Sequence, residues 1–323
     1  MAVPTRIVAA DIGGTHARFA LAEIGDGRVR TIDPPTVFRT AEHAGLAAAW
    51  QAFAAASGAP LPRAAAIAVA APVEGETITL TNSHWVMRRA TLAEELGLDQ
   101  LVLVNDFGAV GHAVAQAAPD CFRHLCGPDA PLPAEGVIGI VGPGTGLGVA
   151  QVLRHDGGYR VIETEGGHLD FAPLDATEDA LLRHLRARFG RVSVERLVSG
   201  PGLANVLEAL AAIEGRPAAS RDQAELWAAA LDGSDPFAAA ALDRFCLSLG
   251  SFAGDIALAQ GARAMVIAGG LGPRIADHLA RSGFAQRFVA KGRFAARMAA
   301  LPVKLITLDQ PGLYGAAAAF AAA

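Results

Sequence analysis

The sequence predicts an α/β protein of two units, and three observations carry that prediction. An apolar run at 7–10 ends in Asp11-Ile12-Gly13-Gly14-Thr15 and resumes at 16–22. A second run at 137–141 ends in Gly142-Pro143-Gly144-Thr145-Gly146 and resumes at 147–153. Each opening then leads into alternating helical and apolar extended segments, the pattern of layered α/β units. Because both glycine turns continue into extended chain rather than a helix, each reads as a strand-turn-strand hairpin, not as the strand-turn-helix of a dinucleotide fold. The second opening repeats the first roughly 130 residues further on, a weak internal repeat.

The elements follow in order. After the first hairpin, extended chain at 37–40 precedes an alanine-rich helix over 42–56. Residues 64–70 and 77–80 read as strands, 91–96 as a short helix with Thr91 as N-cap, and 101–104 as a buried strand ending at Asn105-Asp106. Residues 119–136, with Pro128, Pro131 and Pro133, break regularity and read as a loop or domain junction. In the second unit, helices are expected at 178–189, 202–213 and 236–260, a strand at 264–268 running into Gly269-Gly270, a strand at 303–307 and a final helix at 312–322. Trp50, Trp85 and Trp227 read as packing residues.

The bulk numbers restrict the function classes. The chain has 323 residues, enough for two domains, with 52% hydrophobic and 18% charged residues. A net charge of −5 and scattered basic residues argue against a nucleic-acid surface. No apolar segment approaches the ~20 residues of a membrane span, and no secretory signal pattern is found. Cys121, Cys126 and Cys246 include no CxxC pair and read as reduced thiols, so a cytoplasmic protein is expected.

Several residues could carry chemistry, each with an ordinary alternative. Glycine turns after strands let backbone N–H groups approach an anion, or simply close hairpins. Asp11 could hold a hydrated Mg²⁺ beside phosphates or make an Asx-turn, and the hydroxyls of Thr15 and Thr145 could meet phosphate oxygens. Asp106, at a strand's carboxyl end, could take a proton from an attacking hydroxyl or could cap the following helix. In Glu165-Gly166-Gly167-His168 the two glycines disfavour a helical metal pair. A turn presenting Glu165 and His168 to a polyhydroxylated ligand remains, beside a plain surface loop. Glu195 could instead pair with Arg191 or Arg196, Asn82 could make an Asx-turn, and Gly269-Gly270 could underlie an adenine ring or be a strand-to-helix turn.

Taken in order, these residues resemble the bacterial glucokinase family. The resemblance runs over nearly the whole chain. It rests on Ala10-Asp11-Ile12-Gly13-Gly14-Thr15, Thr81-Asn82, Asn105-Asp106-Phe107, the turn at 142–148, the motif at 165–173 beginning Glu165-Gly166-Gly167-His168, the motif at 195–202 beginning Glu195-Arg196, and Ala268-Gly269-Gly270. The resemblance implies a two-domain actin-like ATPase fold, ribonuclease H-like, with mixed sheets flanked by helices around a central cleft. A small domain of 1–116 plus 308–323 and a large domain of 117–307 are expected. It also implies transfer of the γ-phosphoryl of ATP to the 6-hydroxyl of D-glucose, the first step of glycolysis, in a cytoplasmic homodimer.

By that likeness Asp106 is the general base, and Asn82, Asn105, Asp106, Glu165, His168 and Glu195 bind the sugar, with Thr145 and Gly146 beside the substrate. Ala10, Asp11, Ile12, Gly13, Gly14, Thr15, Gly144 and Thr145 hold the ATP phosphates, Asp11 serving Mg²⁺ through water or ATP, and Gly269 and Gly270 lie near the adenosine. His16 stands where many relatives carry Asn. The cysteine cluster of zinc-carrying sugar kinases is absent between His168 and Cys246, so no zinc is expected. Two alternatives stay open: a kinase for another hexose, and a non-catalytic sugar-responsive regulator of the same fold. The regulator would be expected to place a helix-turn-helix of about 60 residues before the first turn.

Overall fold

The computed structural model describes residues 4–80, 83–217 and 222–323. Its backbone divides into two compact units, one of Met1–Ala118, Val161–Glu163 and Leu308–Ala323, the other of Pro119–Arg160 and Thr164–Thr307.

In the first unit β1 (Thr5–Ile12) and β2 (His16–Gly25) form an antiparallel hairpin, and β3 (Arg28–Ile32) and β4 (Thr36–Arg39) both pair with β2. Helix α1 (Leu46–Ser57) leads to β5 (Ala64–Val69), parallel to β1. The short ribbon β6 (Thr77–Thr79) and β7 (Val86–Arg88) and helix α2 (Arg89–Glu95) precede β8 (Gln100–Asn105), parallel to β5, and α3 (Asp106–Gln116). β1 and β5 read as almost unbroken apolar runs because both of their faces are covered. On one face Phe19 stacks on Phe53, with ring centroids 5.4 Å apart, over Trp50 and Ile67.

The second unit contains β9 (Phe122–Cys126), β10 (Gly136–Pro143), β11 (Leu147–His155) and the ends of β12 (Gly158–Thr164), whose residues Val161–Glu163 belong to the first. Four helices follow: α4 (Ala176–Phe189), α5 (Gly202–Ile213), α6 (Gln223–Asp232) and α7 (Pro236–Ala259). Then come β13 (Ala264–Ile267), α8 (Gly272–Arg281), α9 (Phe284–Val289), α10 (Ala295–Ala299) and β14 (Val303–Ile306). The chain returns to the first unit as α11 (Pro311–Ala322), whose alanines face Ala9, Ala66 and Ala109 on the second face of that sheet.

The two sheets share one plan. The first runs β3-β2-β1-β5-β8 and the second β12-β11-β10-β13-β14-β9. In each an antiparallel hairpin is followed by two strands parallel to its first member. The repeat marked by the two glycine turns therefore extends over five strands.

Several expectations are corrected. Thr91 lies inside α2, whose N-cap is Arg88, and its hydroxyl donates to Glu95 at 2.6 Å instead of capping. Residues 119–136 are not irregular throughout, since β9 pairs antiparallel with β14 and the prolines follow it. Strands β3 and β12 were not expected, although each follows an Asp-Gly pair, the strongest short hairpin signal. Asp26 and Gly27 have φ of 53° and 70°, Asp156 and Gly157 of 52° and 75°. Helices α6, α8, α9 and α10 also go beyond the expected set. All three tryptophans are buried, and the indole N–H of Trp227 donates to the Gly200 carbonyl. Among the described residues no helix is long and apolar enough to cross a membrane.

Candidate functional site

In the first unit the strand register places the candidates in one row. Ile12 of β1 lies opposite Val69 of β5, and Val69 opposite Asn105 of β8. The glycine turn and Asn105-Asp106 thus leave the same carboxyl edge of a parallel sheet, about 10 Å apart from two strand spacings. In open α/β sheets that edge is where ligands bind.

Asp11 faces Arg18 across the hairpin, with Arg18 Nη1 3.6 Å from its Oδ2. Burial pushes its carboxyl above the ordinary range, and the Arg18 charge partly offsets that. The first turn of α11 packs on it so closely that a methyl on Gly312 would stand 3.1 Å from the carboxylate. Such a helix N-terminus favours negative charge. At the turn Gly13 N–H donates to His16 O at 2.9 Å, while Thr15 is exposed at the tip. Thr40, buried and missed by sequence reasoning, ties the tip down: its N–H donates to Thr15 O and its hydroxyl to Gly14 O, at 3.0 and 2.6 Å.

Asn105 is the N-cap of α3, not Asp106. Its Oδ1 accepts from Phe107 N and Gly108 N at 2.9 and 3.3 Å, and its Nδ2 donates to Ala71 O at 3.2 Å. Asp106 is the first helical residue, and its Oδ1 also accepts from Phe107 N, at 2.8 Å. The cap fixes the backbone on which the Asp106 carboxylate sits. Val161 and Glu163 pack against Gly111 and Gly108 of α3, where a methyl on either glycine would collide with them. Asn82 lies outside the described residues.

In the second unit three glycine turns meet. Gly144 N–H donates to Gly146 O at 2.8 Å, Gly200 N–H to Gly144 O at 2.7 Å, and Leu271 N–H to Pro143 O at 3.1 Å. Gly269 is glycine for reasons internal to the chain: its φ is +77°, and a methyl would strike Pro143 O. Gly144 and Gly270 differ. Neither has a left-handed φ, a methyl on Gly144 would find nothing nearer than Gly270 N at 3.9 Å, and one on Gly270 would find nothing within 4 Å. Two adjacent glycines that packing does not require leave bare backbone, the surface that close approach of a phosphate or a flat ring needs. Gly200 belongs to this cradle, and sequence reasoning gave it no role.

Gly146 has a packing reason: a methyl there would sit 2.5 Å from Glu195 Oε2. That oxygen accepts Leu147 N–H at 3.0 Å, in place of the ordinary alternative of a pairing with Arg191 or Arg196. Arg191 is engaged by Asp170 at 2.8 Å, and Arg196 lies over the Phe189 ring. Residues 166–168 form a 3-10 turn laid on β11, and a methyl on Gly167 would run into Leu147 O. Glu165 and His168 emerge from it largely exposed, with 3.9 Å between Glu165 Oε2 and His168 Nε2. Leu147 therefore gathers Thr145-Gly146, Glu195 and the Glu165–His168 turn, and Thr145 is exposed beside them. Among the described residues no group of three or more His, Cys, Asp or Glu side chains forms a metal cage. The Asp11 carboxylate beside the first glycine turn offers oxygen donors of the kind a hard cation such as Mg²⁺ takes.

Comparison with known proteins identifies the family. A family model described as Glucokinase matches residues 8–323. The chain is 63% identical over 315 residues to the glucokinase of Zymomonas mobilis, covering 98% of this chain and 97% of that one. It is 41% identical over 314 residues to the glucokinase of Aromatoleum aromaticum, covering 96% and 92%. The crystal structure of a glucokinase from an Antarctic psychrotroph superposes with a TM-score of 0.85 at 34% identity, covering 97% and 98%. A ROK family glucokinase from Streptomyces griseus, crystallised with glucose and AMPPNP, has a TM-score of 0.62 at 19% identity over 98% of each chain, a likeness of fold. The sugar-kinase neighbours and the duplicated mixed sheets give the actin-like ATPase fold. Matched along nearly its whole length by the family model and by relatives far above the identity at which fold alone is shared, the chain belongs to the glucokinase family.

Proposed function

We propose that the protein transfers the γ-phosphoryl of ATP to the 6-hydroxyl of D-glucose, giving glucose 6-phosphate and ADP, with Asp106 as general base. The observation that carries this reading is the row Ile12–Val69–Asn105, which sets the Asp106 carboxylate on the same sheet edge as the Asp11 glycine turn. The O6–phosphorus bond forms as the bond from phosphorus to the departing ADP oxygen breaks, and the O6 proton passes to Asp106.

The sugar hydroxyls are bound by Asn82, Asn105, Glu165, His168 and Glu195. The phosphates are received by bare backbone at Gly13-Gly14-Thr15 and Gly144-Thr145, and the adenosine lies against Gly269-Gly270. Asp11 would hold Mg²⁺, which when bound would supply charge neutralisation on the phosphates. Positioning and electrostatics account for most of the rate in such transfers, and the Asn105 cap serves positioning by fixing the backbone on which Asp106 sits. The homodimer and the cytoplasmic location belong to the same reading, the second supported by three cysteines that are all thiols.

Glucose-dependent ADP release in a coupled assay tests the activity, with kcat/KM compared across glucose, mannose, fructose and amino sugars. Highest kcat/KM for glucose is expected. A higher value for another hexose would reassign the acceptor, and no turnover with any hexose would favour a binding protein of the same fold.

A further inference from the structure

The two glycine turns are alike beyond their sequence. In the first, the Gly14 carbonyl accepts the Thr40 hydroxyl at 2.6 Å. In the second, the Gly144 carbonyl accepts Gly200 N–H at 2.7 Å. Each donor comes from a distant segment of the turn's own unit, and each holds the same peptide, the one joining glycine to threonine in Gly14-Thr15 and Gly144-Thr145. Burial is matched as well: in both turns the glycine is half-buried, the threonine exposed and the next residue half-buried. A hairpin closes through its own two strands and needs no third segment behind its tip.

A planar trans peptide points its C=O and its N–H in opposite directions, and the described residues include no cis peptide bond. A Gly14 carbonyl fixed on Thr40 therefore turns Thr15 N–H away from Thr40, and a Gly144 carbonyl fixed on Gly200 does the same for Thr145 N–H. Neither N–H donates to any described residue. The tie is made by a side chain in one unit and by main chain in the other, so what the two share is the result: a free, aimed N–H at the tip, the donor an anion requires. Thr40 is itself held in place. It is 2% exposed, its N–H donates to Thr15 O at 3.0 Å, and its carbonyl accepts the buried Trp85 indole N–H at 3.1 Å.

We propose that Thr40 is a positioning residue for the nucleotide: its hydroxyl orients the Gly14-Thr15 peptide so that Thr15 N–H meets a phosphate oxygen of ATP. Gly200 N–H does the same for Thr145 N–H in the other unit. The proposal rests on the reading of both turns as phosphate-receiving. Thr40 acts through the peptide and does not touch the phosphate. Valine in its place keeps the shape, removes the donor and frees the peptide to rotate.

Titration calorimetry with AMPPNP and Mg²⁺, alongside steady-state kinetics, tests it on Thr40→Val, Thr40→Ala and Thr40→Ser. Both variants without the hydroxyl are expected to bind AMPPNP about fivefold or more weakly, the order of one hydrogen bond, and to show a matching rise in KM for ATP. KM for glucose should stay near that of the wild type, and Thr40→Ser, which keeps the donor, should recover most of the loss. Thr40→Ala carries the same expectation should Thr40→Val fail to fold. Wild-type AMPPNP affinity in a folded variant lacking the hydroxyl would overturn the proposal. So would equal losses for AMPPNP and glucose, the mark of a loosened unit and not of a misaimed peptide, or no AMPPNP binding by the wild type. Calorimetry needs no turnover, so a chain that shows the expected AMPPNP series yet phosphorylates no hexose would sink the glucose reading alone.

Discussion

At the scale of single residues, the division of labour between Asn105 and Asp106 decides how the candidate base is presented. Asp is a favoured cap, yet the cap here is Asn105, whose side chain spends its oxygen on α3 and its amide on Ala71. Asp106→Asn is expected to lower kcat by about 10²-fold or more with glucose binding retained, the usual range for removing a general base. Titration calorimetry alongside steady-state kinetics checks it, and near wild-type turnover would remove Asp106 from that role.

Asp11 yields a prediction about pH. Its folded carboxyl titrates above the ordinary value, through burial first, with Arg18 pulling it back. The charged form proposed to serve Mg²⁺ is therefore lost as pH falls through that raised value. Arg18→Met removes the opposing influence, so the acid limb of the kcat/KM profile should move to higher pH; an unmoved limb would separate Asp11 from it. For stability the sign is the reverse. A carboxyl raised on folding favours the native state at low pH, and that contribution is lost as pH rises from the ordinary carboxylate value through the raised one.

At the scale of elements, two glycines allow contacts that no other residue permits. Gly167 lets the Glu165–His168 turn lie on β11, and Gly315 lets α11 lie on α3, where a methyl would strike Ala109 O. Both oxygens belong to backbone, which cannot rotate away. Gly315→Ala is expected to destabilise the protein by about 1–3 kcal/mol, the usual cost of overpacking, read as a lower urea midpoint. Gly167→Ala should instead raise KM for glucose with a smaller effect on the midpoint, since it displaces an exposed turn that carries Glu165 and His168. An unchanged KM would detach that turn from sugar binding. Element identity was legible wherever composition was one-sided: β1, β5, β8 and α5 read directly from apolar runs or alanine. β3 and β12 are edge strands with exposed, charged residues, so hydrophobic pattern hides them and only their Asp-Gly turns betray them.

At the scale of the whole molecule, each unit carries its own glycine hairpin on its own sheet, and ligand binding should register as global stabilisation. Glucose at a hundred times its Kd is expected to raise unfolding free energy by about 2.7 kcal/mol by mass action. Differential scanning calorimetry would show the shift, and none at any concentration would contradict a native-state sugar site. Light scattering at twice the 33.1 kDa chain mass is the expected signature of the homodimer. The local signals, a glycine turn after each of two buried strands and an acid at the end of a third, are contiguous in sequence because a strand and its turn are made by neighbouring residues. Fold class and repeat are therefore legible in the sequence itself, and Asp11, Asp106, Glu165, His168 and Glu195 stand out there as candidates. What joins distant segments is not. The Ile12–Val69–Asn105 row, the tie from Thr40 to Gly14, the meeting of Gly144, Gly200 and Gly270, and the attachment of Glu195 to Leu147 all depend on strand order and register. Pairing between strands far apart in the chain fixes these, and no local pattern encodes them.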